Sequence, residues 1–212
     1  MKWFLIFLIL FASHAIEAKE RSCSKITQLG YVPVPWRLVH DEQLGKLPST
    51  ADVLLIGDSH ASLWDPTLFA PRQTFNAGVG GASIEQMLWR MRDPRWRAVT
   101  PKNVILFIGS NNHARGDCAF EMIEGISTIV SRMVSLWPNA RLFVVGIPPR
   151  GMRGSLRSFE RDVMNMLLDN RVRSQGAIYV ETDEIVQYLG VGDVHYDVGA
   201  YRTFTTAIRP LL

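Results

Sequence analysis

The sequence predicts an α/β domain, a five-stranded parallel sheet with helices on both faces. Three observations carry this expectation. Short apolar runs end near Gly57, Asn76, Gly109, Ile147 and Glu181, helical patterns lie between them, and glycine or asparagine clusters follow the first three runs. Strands alternating with helices assemble into a parallel sheet whose two faces are both covered.

The first run, Ala51-Asp52-Val53-Leu54-Leu55-Ile56, closes on Gly57-Asp58-Ser59-His60. A strand ending there sets Ser59 at the carboxyl edge of the sheet, where open α/β folds do their chemistry and where the next helix aims its N-terminus. Ser59 reads either as a nucleophile or, with Asp58, as a helix cap. The second run, Gln73-Thr74-Phe75, leads into Asn76-Ala77-Gly78-Val79-Gly80-Gly81-Ala82-Ser83, whose glycines let a backbone N–H approach a ligand closely. The dinucleotide template Gly-x-Gly-x-x-Gly fails at Ser83. With Gln86, Ser83 instead makes a capping box for a helix through Ile84, Met87, Leu88 and Met91.

The third run, Asn103-Val104-Ile105-Leu106-Phe107-Ile108, suits a buried parallel strand and precedes Gly109-Ser110-Asn111-Asn112-His113. The asparagine amides there either donate to an oxyanion or bond to their own loop as turn residues. Two helical stripes follow, Phe120, Ile123, Ile126, Val130, Met133 and Val134 before Pro138, and then Leu156, Phe159, Val163 and Leu167; both are expected in the core. Near the C-terminus, Gly192-Asp193-Val194-His195-Tyr196-Asp197 precedes a final helix within residues 199–212, and His195 is the candidate general base. Asp193, His195 and Asp197 at alternate positions would also suit a divalent cation, but no other convincing His or Cys pair supports a required metal. An α/β-hydrolase elbow needs Gly-x-Ser-x-Gly, and Ala61 stands where its second glycine belongs.

Taken in order, these four segments resemble the blocks of the SGNH (GDSL-type) hydrolases. The segments from Asn76 to Met91 with Leu88-Trp89-Arg90, the strand after Pro101-Lys102, Asn111-Asn112-His113 and Pro148-Pro149-Arg150-Gly151 are further similar to the catalytic subunits of platelet-activating-factor acetylhydrolase. The resemblance implies a three-layer α/β/α sandwich, flavodoxin-like, over residues 51–212. It implies Ser59 as nucleophile, His195 as base, and an oxyanion hole made by Ser59, Gly81 and Asn111. It also implies that no cofactor is needed and that the acyl group is short, acetyl first. The family usually places its acid three residues before the histidine, where this chain has Gly192, so Asp193 is the expected orienting acid from a shifted position. His60, Asn112 and His113 are candidate substrate contacts.

Met1-Lys2 and the apolar run from Trp3 to Ala12 read as a secretory signal peptide over residues 1–18, too short to span a bilayer comfortably. Residues 19–50 lack a strong pattern and are expected to wrap the domain as an irregular extension. The chain carries two cysteines, Cys23 and Cys118, and an oxidising compartment would let them pair. A formal net charge of +3 does not call for nucleic acid. The basic stretch Arg90, Arg92, Arg95 and Arg97, interleaved with Trp89 and Trp96, reads as a solvated helix end. The expectation is a secreted or periplasmic serine esterase acting on an O-acylated glycan, lipid or small molecule. An acyltransferase acting on a glycan and a non-catalytic binding protein of the same fold are the alternatives.

Overall fold

The computed structural model describes residues 32–149, 156–183 and 194–212. Five parallel strands, β1 (Thr50–Gly57), β2 (Thr74–Gly78), β3 (Thr100–Phe107), β4 (Arg141–Val145) and β5 (Ile178–Val180), form a sheet of order β2-β1-β3-β4-β5. This is the flavodoxin-like order, and its switch point lies between β1 and β3, where loops diverge to opposite faces and leave a crevice at the carboxyl edge. β1 pairs on one side with β2, with Gly57 opposite Gly78, and on the other with β3, with Gly57 opposite Phe107.

Side chains alternate across each strand, so two separate cores form. Leu54, Ile56, Val104, Leu106 and Val144 face one layer, which contains α3 (Ile84–Arg90), α5 (Ala119–Leu136) and α6 (Leu156–Arg173). Val53, Leu55, Ile105, Phe107 and Phe143 face Trp64, Phe69 and the C-terminal α7 (Val198–Ile208). The expected capping box opens α3, with the Ser83 N–H donating to Gln86 Oε1 at 2.8 Å and the Gln86 N–H to Ser83 Oγ at 3.4 Å.

Three expectations need correction. Within the stretch expected to be irregular, Val34–Gly45 forms a helix, α1, which starts where Pro33 and Pro35 favour a first turn and buries His40 and Leu44. On α5 the buried face is Met122, Ile123, Ile126, Ile129, Val130 and Met133, whereas Phe120 and Val134 are exposed. On α6 the frame is shifted more completely, since Phe159, Val163 and Leu167 are exposed while Met164, Leu168 and Val172 are buried beside Arg161 and Asn165. Arg161 and Asn165 face inward because they bond the end of β4: Asn165 Oδ1 accepts from the Ile147 N–H at 2.9 Å and its Nδ2 donates to Ile147 O at 2.9 Å. The side chain of Leu156 lies outside the described residues.

Candidate active site

The loops after β1, β2 and β3 meet at one edge of the sheet. Gly57 ends β1 at φ +140°, and a Cβ there would stand 1.9 Å from Phe107 O, so only glycine lets β1 press against β3 at this point. The Asp58 N–H then donates to Phe107 O at 2.9 Å. Asp58 is the N-cap of the short α2 (Ser59–Ser62), its Oδ1 accepting from the His60 N–H at 2.9 Å. Capping therefore falls to Asp58 alone. Burial pushes the Asp58 carboxyl up to about 7, while the amides of His60, Ser110 and Gly109 pull it the other way.

Ser59 remains partly accessible, and its Oγ lies 2.9 Å from His195 Nε2. His195 is positioned through α7, the helix C-terminal to it. Asp197 caps α7 by accepting from the Ala200 N–H at 2.8 Å, the Tyr201 hydroxyl donates to His60 O at 2.9 Å, and Trp64 Nε1 donates to Thr205 Oγ1 at 2.9 Å. The last two bonds fasten α7 to the segment carrying Ser59. Asp193 and Gly192 lie outside the described residues, and so does Cys23.

The glycine loop after β2 runs beside the nucleophile. The Val79 N–H donates to Gly57 O at 3.0 Å, and Gly78 packs so closely on Ala61 and Ser62 that an added Cβ would sit 2.3 Å from the Ser62 nitrogen. Gly81 is exposed at φ +75°, a conformation suited to glycine. Asn111 meets this loop, Nδ2 donating to Ala82 O at 2.9 Å and leaving a second amide N–H for another acceptor. Ser59, Gly81, Asn111 and His195 are thus drawn to one region by four different segments.

Two expected substrate contacts turn out to be internal. Asn112 is fully buried; its Oδ1 accepts from the Ile84 N–H at 2.9 Å, and its Nδ2 donates to Glu85 Oε2 at 3.0 Å and Asp117 Oδ2 at 2.8 Å. It clamps the start of α3 to the short helix that follows β3. His60 is also fully buried, its ring stacked on Phe107 with centroids 4.8 Å apart and lying 5.3 Å from the His195 ring. It forms the floor beneath His195. His113 is half-buried on α4 (Ser110–Arg115).

Sequence reading missed how α1 is attached. Arg90, expected in solvent, is buried: its Nη1 donates to Ala77 O at 2.8 Å, Nη2 to Gln43 Oε1 at 2.7 Å and Nε to His40 Nδ1 at 3.2 Å, with the Trp96 ring 5.6 Å away. Gln43 Nε2 in turn donates to Gly78 O at 2.8 Å. The available signal was spacing, because Arg90 stands three residues after Met87 on the apolar face of α3. This attachment brings Trp36 against Gly81, its ring 3.4 Å from where a Cβ would project.

Comparison with known proteins finds relatives in sequence and in fold. The alpha1 subunit of platelet-activating factor acetylhydrolase IB from Rattus norvegicus is 34% identical over 123 residues, which make up 55% of this chain and 52% of that protein. The human alpha2 subunit is 32% identical over 122 residues, with the same shares covered. The chain spans about half the length of the curated relatives it matches. Among solved structures, a GDSL-like lipase from Bacteroides thetaiotaomicron has the same fold, with a TM-score of 0.70 at 13% identity over 83% of this chain and 96% of that one. The acetylxylan esterase Axe2 of Geobacillus stearothermophilus shares it with a TM-score of 0.61 at 15% identity over 77% and 95%. The GDSL-like lipase/acylhydrolase model matches residues 56–201, from the end of β1 into α7, and the chain belongs to that family.

Proposed function

We propose that the protein is a carboxylic ester hydrolase that removes short acyl groups, acetyl first, through an acyl-enzyme on Ser59. The observation that carries this reading is the 2.9 Å contact between Ser59 Oγ and His195 Nε2 at the mouth of the β1–β3 crevice. His195 takes the serine proton as Oγ attacks the ester carbonyl, a contribution worth typically ~10²- to 10⁴-fold. The carbonyl oxygen becomes an oxyanion, for which the Ser59 and Gly81 N–H groups and the free N–H of Asn111 are the donors. Removing one such donor typically costs ~10²- to 10³-fold in kcat. Collapse of the adduct expels the alcohol, protonated by His195. A water molecule, deprotonated by the same histidine, then releases the acid and restores Ser59.

Acetyl specificity is supported by the acetylhydrolase names of the relatives and by the acetylxylan esterase neighbour. Asp193 is the orienting acid of this reading. The N-terminal apolar run supports export, and an oxidising compartment supports a Cys23–Cys118 bridge. Cys118 directly precedes α5.

The test is acetate release from p-nitrophenyl acetate by the wild type, Ser59→Ala and Asp193→Ala. Ser59→Ala is expected to lose at least ~10⁴-fold in kcat, as nucleophile removal does in serine hydrolases. The reading fails if wild-type turnover is no faster than that of Ser59→Ala. Reaction of Ser59 with an organophosphonate, with slow turnover until a sugar acceptor is added, would move the activity to acyl transfer. Thiol titration of exported protein in denaturant reads the bridge, with no free thiol expected.

A further inference from the structure

A cavity of about 320 Å³ lies beside the expected oxyanion loop, between Pro35, Trp36 and Val39 on α1 and the backbone of Gly78, Val79 and Gly80. Trp36, one wall of it, also packs against Gly81. A Cβ on Gly80 would meet none of the described residues within 4 Å, so on their side this wall is open to an incoming group. We infer that this cavity is the subsite for the alcohol part of the ester, and that it takes a neutral pyranose ring packed on the Trp36 indole. The inference rests on the ester-hydrolase reading and names the substrate class of that same site.

Three features favour a sugar ring over other alcohols. Among the described residues no lining residue is charged, so they offer no counter-charge to the phosphate and ammonium of a phospholipid headgroup. Pro35 and Val39 are exposed, which would leave an alkyl chain wet along one side. A pyranose instead offers its C–H face to the indole and turns its hydroxyls to water or to the loop carbonyls, the mixed contact that aromatic walls suit. The platform is also built to keep its place. Buried Arg90 bonds α1 through His40 and Gln43 and bonds β2 through Ala77 O, while Gln43 bonds Gly78 O. Trp36 is therefore fixed relative to the loop that carries Gly81, and a ring seated on it lies against the segment that leads to that expected oxyanion donor.

The experiment compares kcat/KM for a mono-O-acetylated methyl pyranoside with that for ethyl acetate in the wild type, Trp36→Ala and Trp36→Phe. The preference for the pyranoside is expected to fall about tenfold in Trp36→Ala, mainly through KM, and to be largely kept in Trp36→Phe, because the aromatic face supplies the contact. An unchanged ratio, whatever the absolute loss, overturns the subsite and leaves Trp36 as packing for the loop. A second measurement does not depend on turnover: calorimetric binding of the acetylated pyranoside to Ser59→Ala, with and without Trp36→Ala. Binding lost with Trp36 supports the subsite even if ester hydrolysis fails. Hydrolysis of ethyl acetate by the wild type, with no pyranoside binding, overturns the subsite while the hydrolase reading stands.

Discussion

Trp64 Nε1 donates to Thr205 Oγ1 at 2.9 Å, joining the segment just after the nucleophile to the last helix across 141 residues of chain. Trp64 is fully buried, with its ring near those of Phe69, Phe107, Tyr201 and Phe204. This bond and its packing set the distance between Ser59, before it, and His195, ahead of α7. Trp64→Phe is expected to keep most of the packing but leave Thr205 Oγ1 without that donor, at a cost of about 1–3 kcal/mol in urea unfolding. Trp64→Ala is expected to cost about 3–5 kcal/mol. Both variants should also lower kcat through a loosened Ser59–His195 contact.

Asp58 predicts an unusual pH dependence. Its folded carboxyl is pushed up to about 7, above the ordinary 3.8, so between these values the folded state holds a proton that the unfolded state has lost. Its contribution to stability is fully present below pH 3.8 and disappears as pH rises through about 7. The slope from this one group is at most about 1.4 kcal/mol per pH unit. Urea unfolding of Asp58→Asn from pH 4 to 8 should lack this downward component, and a wild-type profile parallel to that of the mutant would refute it.

His40 acts in the opposite sense. Burial, followed by the nearby Arg90 charge, lowers its imidazole from 6.5, while Asp93 opposes them. Its Nδ1 accepts from Arg90 and its Nε2 faces Asp93 Oδ2 at 3.1 Å, so protonation would place an N–H against the guanidinium. The folded state resists the proton, and stability present above pH 6.5 is lost as pH falls below it. Hydrogen-exchange protection factors over α1, with the pH dependence of intrinsic exchange divided out, should therefore fall as pH drops below 6.5 in the wild type. His40→Asn should flatten that response.

Arg90→Lys tests whether the buried guanidinium is needed or only its charge. Lysine cannot reproduce a planar fork that reaches Ala77 O, Gln43 and His40 together. A loss of about 3 kcal/mol is expected, the scale of breaking a buried charged network. Limited proteolysis should then cut first near α1.

Gly57→Ala should leave no soluble folded protein, because its Cβ would stand 1.9 Å from Phe107 O within the sheet. Gly80→Ala meets none of the described residues within 4 Å and should fold normally. Comparing soluble yields and melting temperatures of the two separates the structural glycine from the permissive one.

Residues with a strong local signal were legible from the sequence. Strand ends near Gly57, Asn76 and Gly109, each within two residues of the observed Gly57, Gly78 and Phe107, follow from apolar runs and glycine placement, and the Ser83–Gln86 box follows from capping chemistry, all of which act over a few residues. The resemblance carried by Gly57-Asp58-Ser59, Gly81, Asn111 and His195 supplied the roles. Tertiary structure decided what local signals cannot encode. It turned Phe159, Val163 and Leu167 outward because Arg161 and Asn165 were needed beneath them to bond the end of β4. It buried Arg90, Asn112 and His60, since each finds its partners in segments distant in sequence. It also brought α1, and Trp36 with it, against Gly81. A short-range pattern reports which face of an element is apolar, but which polar groups may enter the core depends on acceptors that only the folded chain brings within reach.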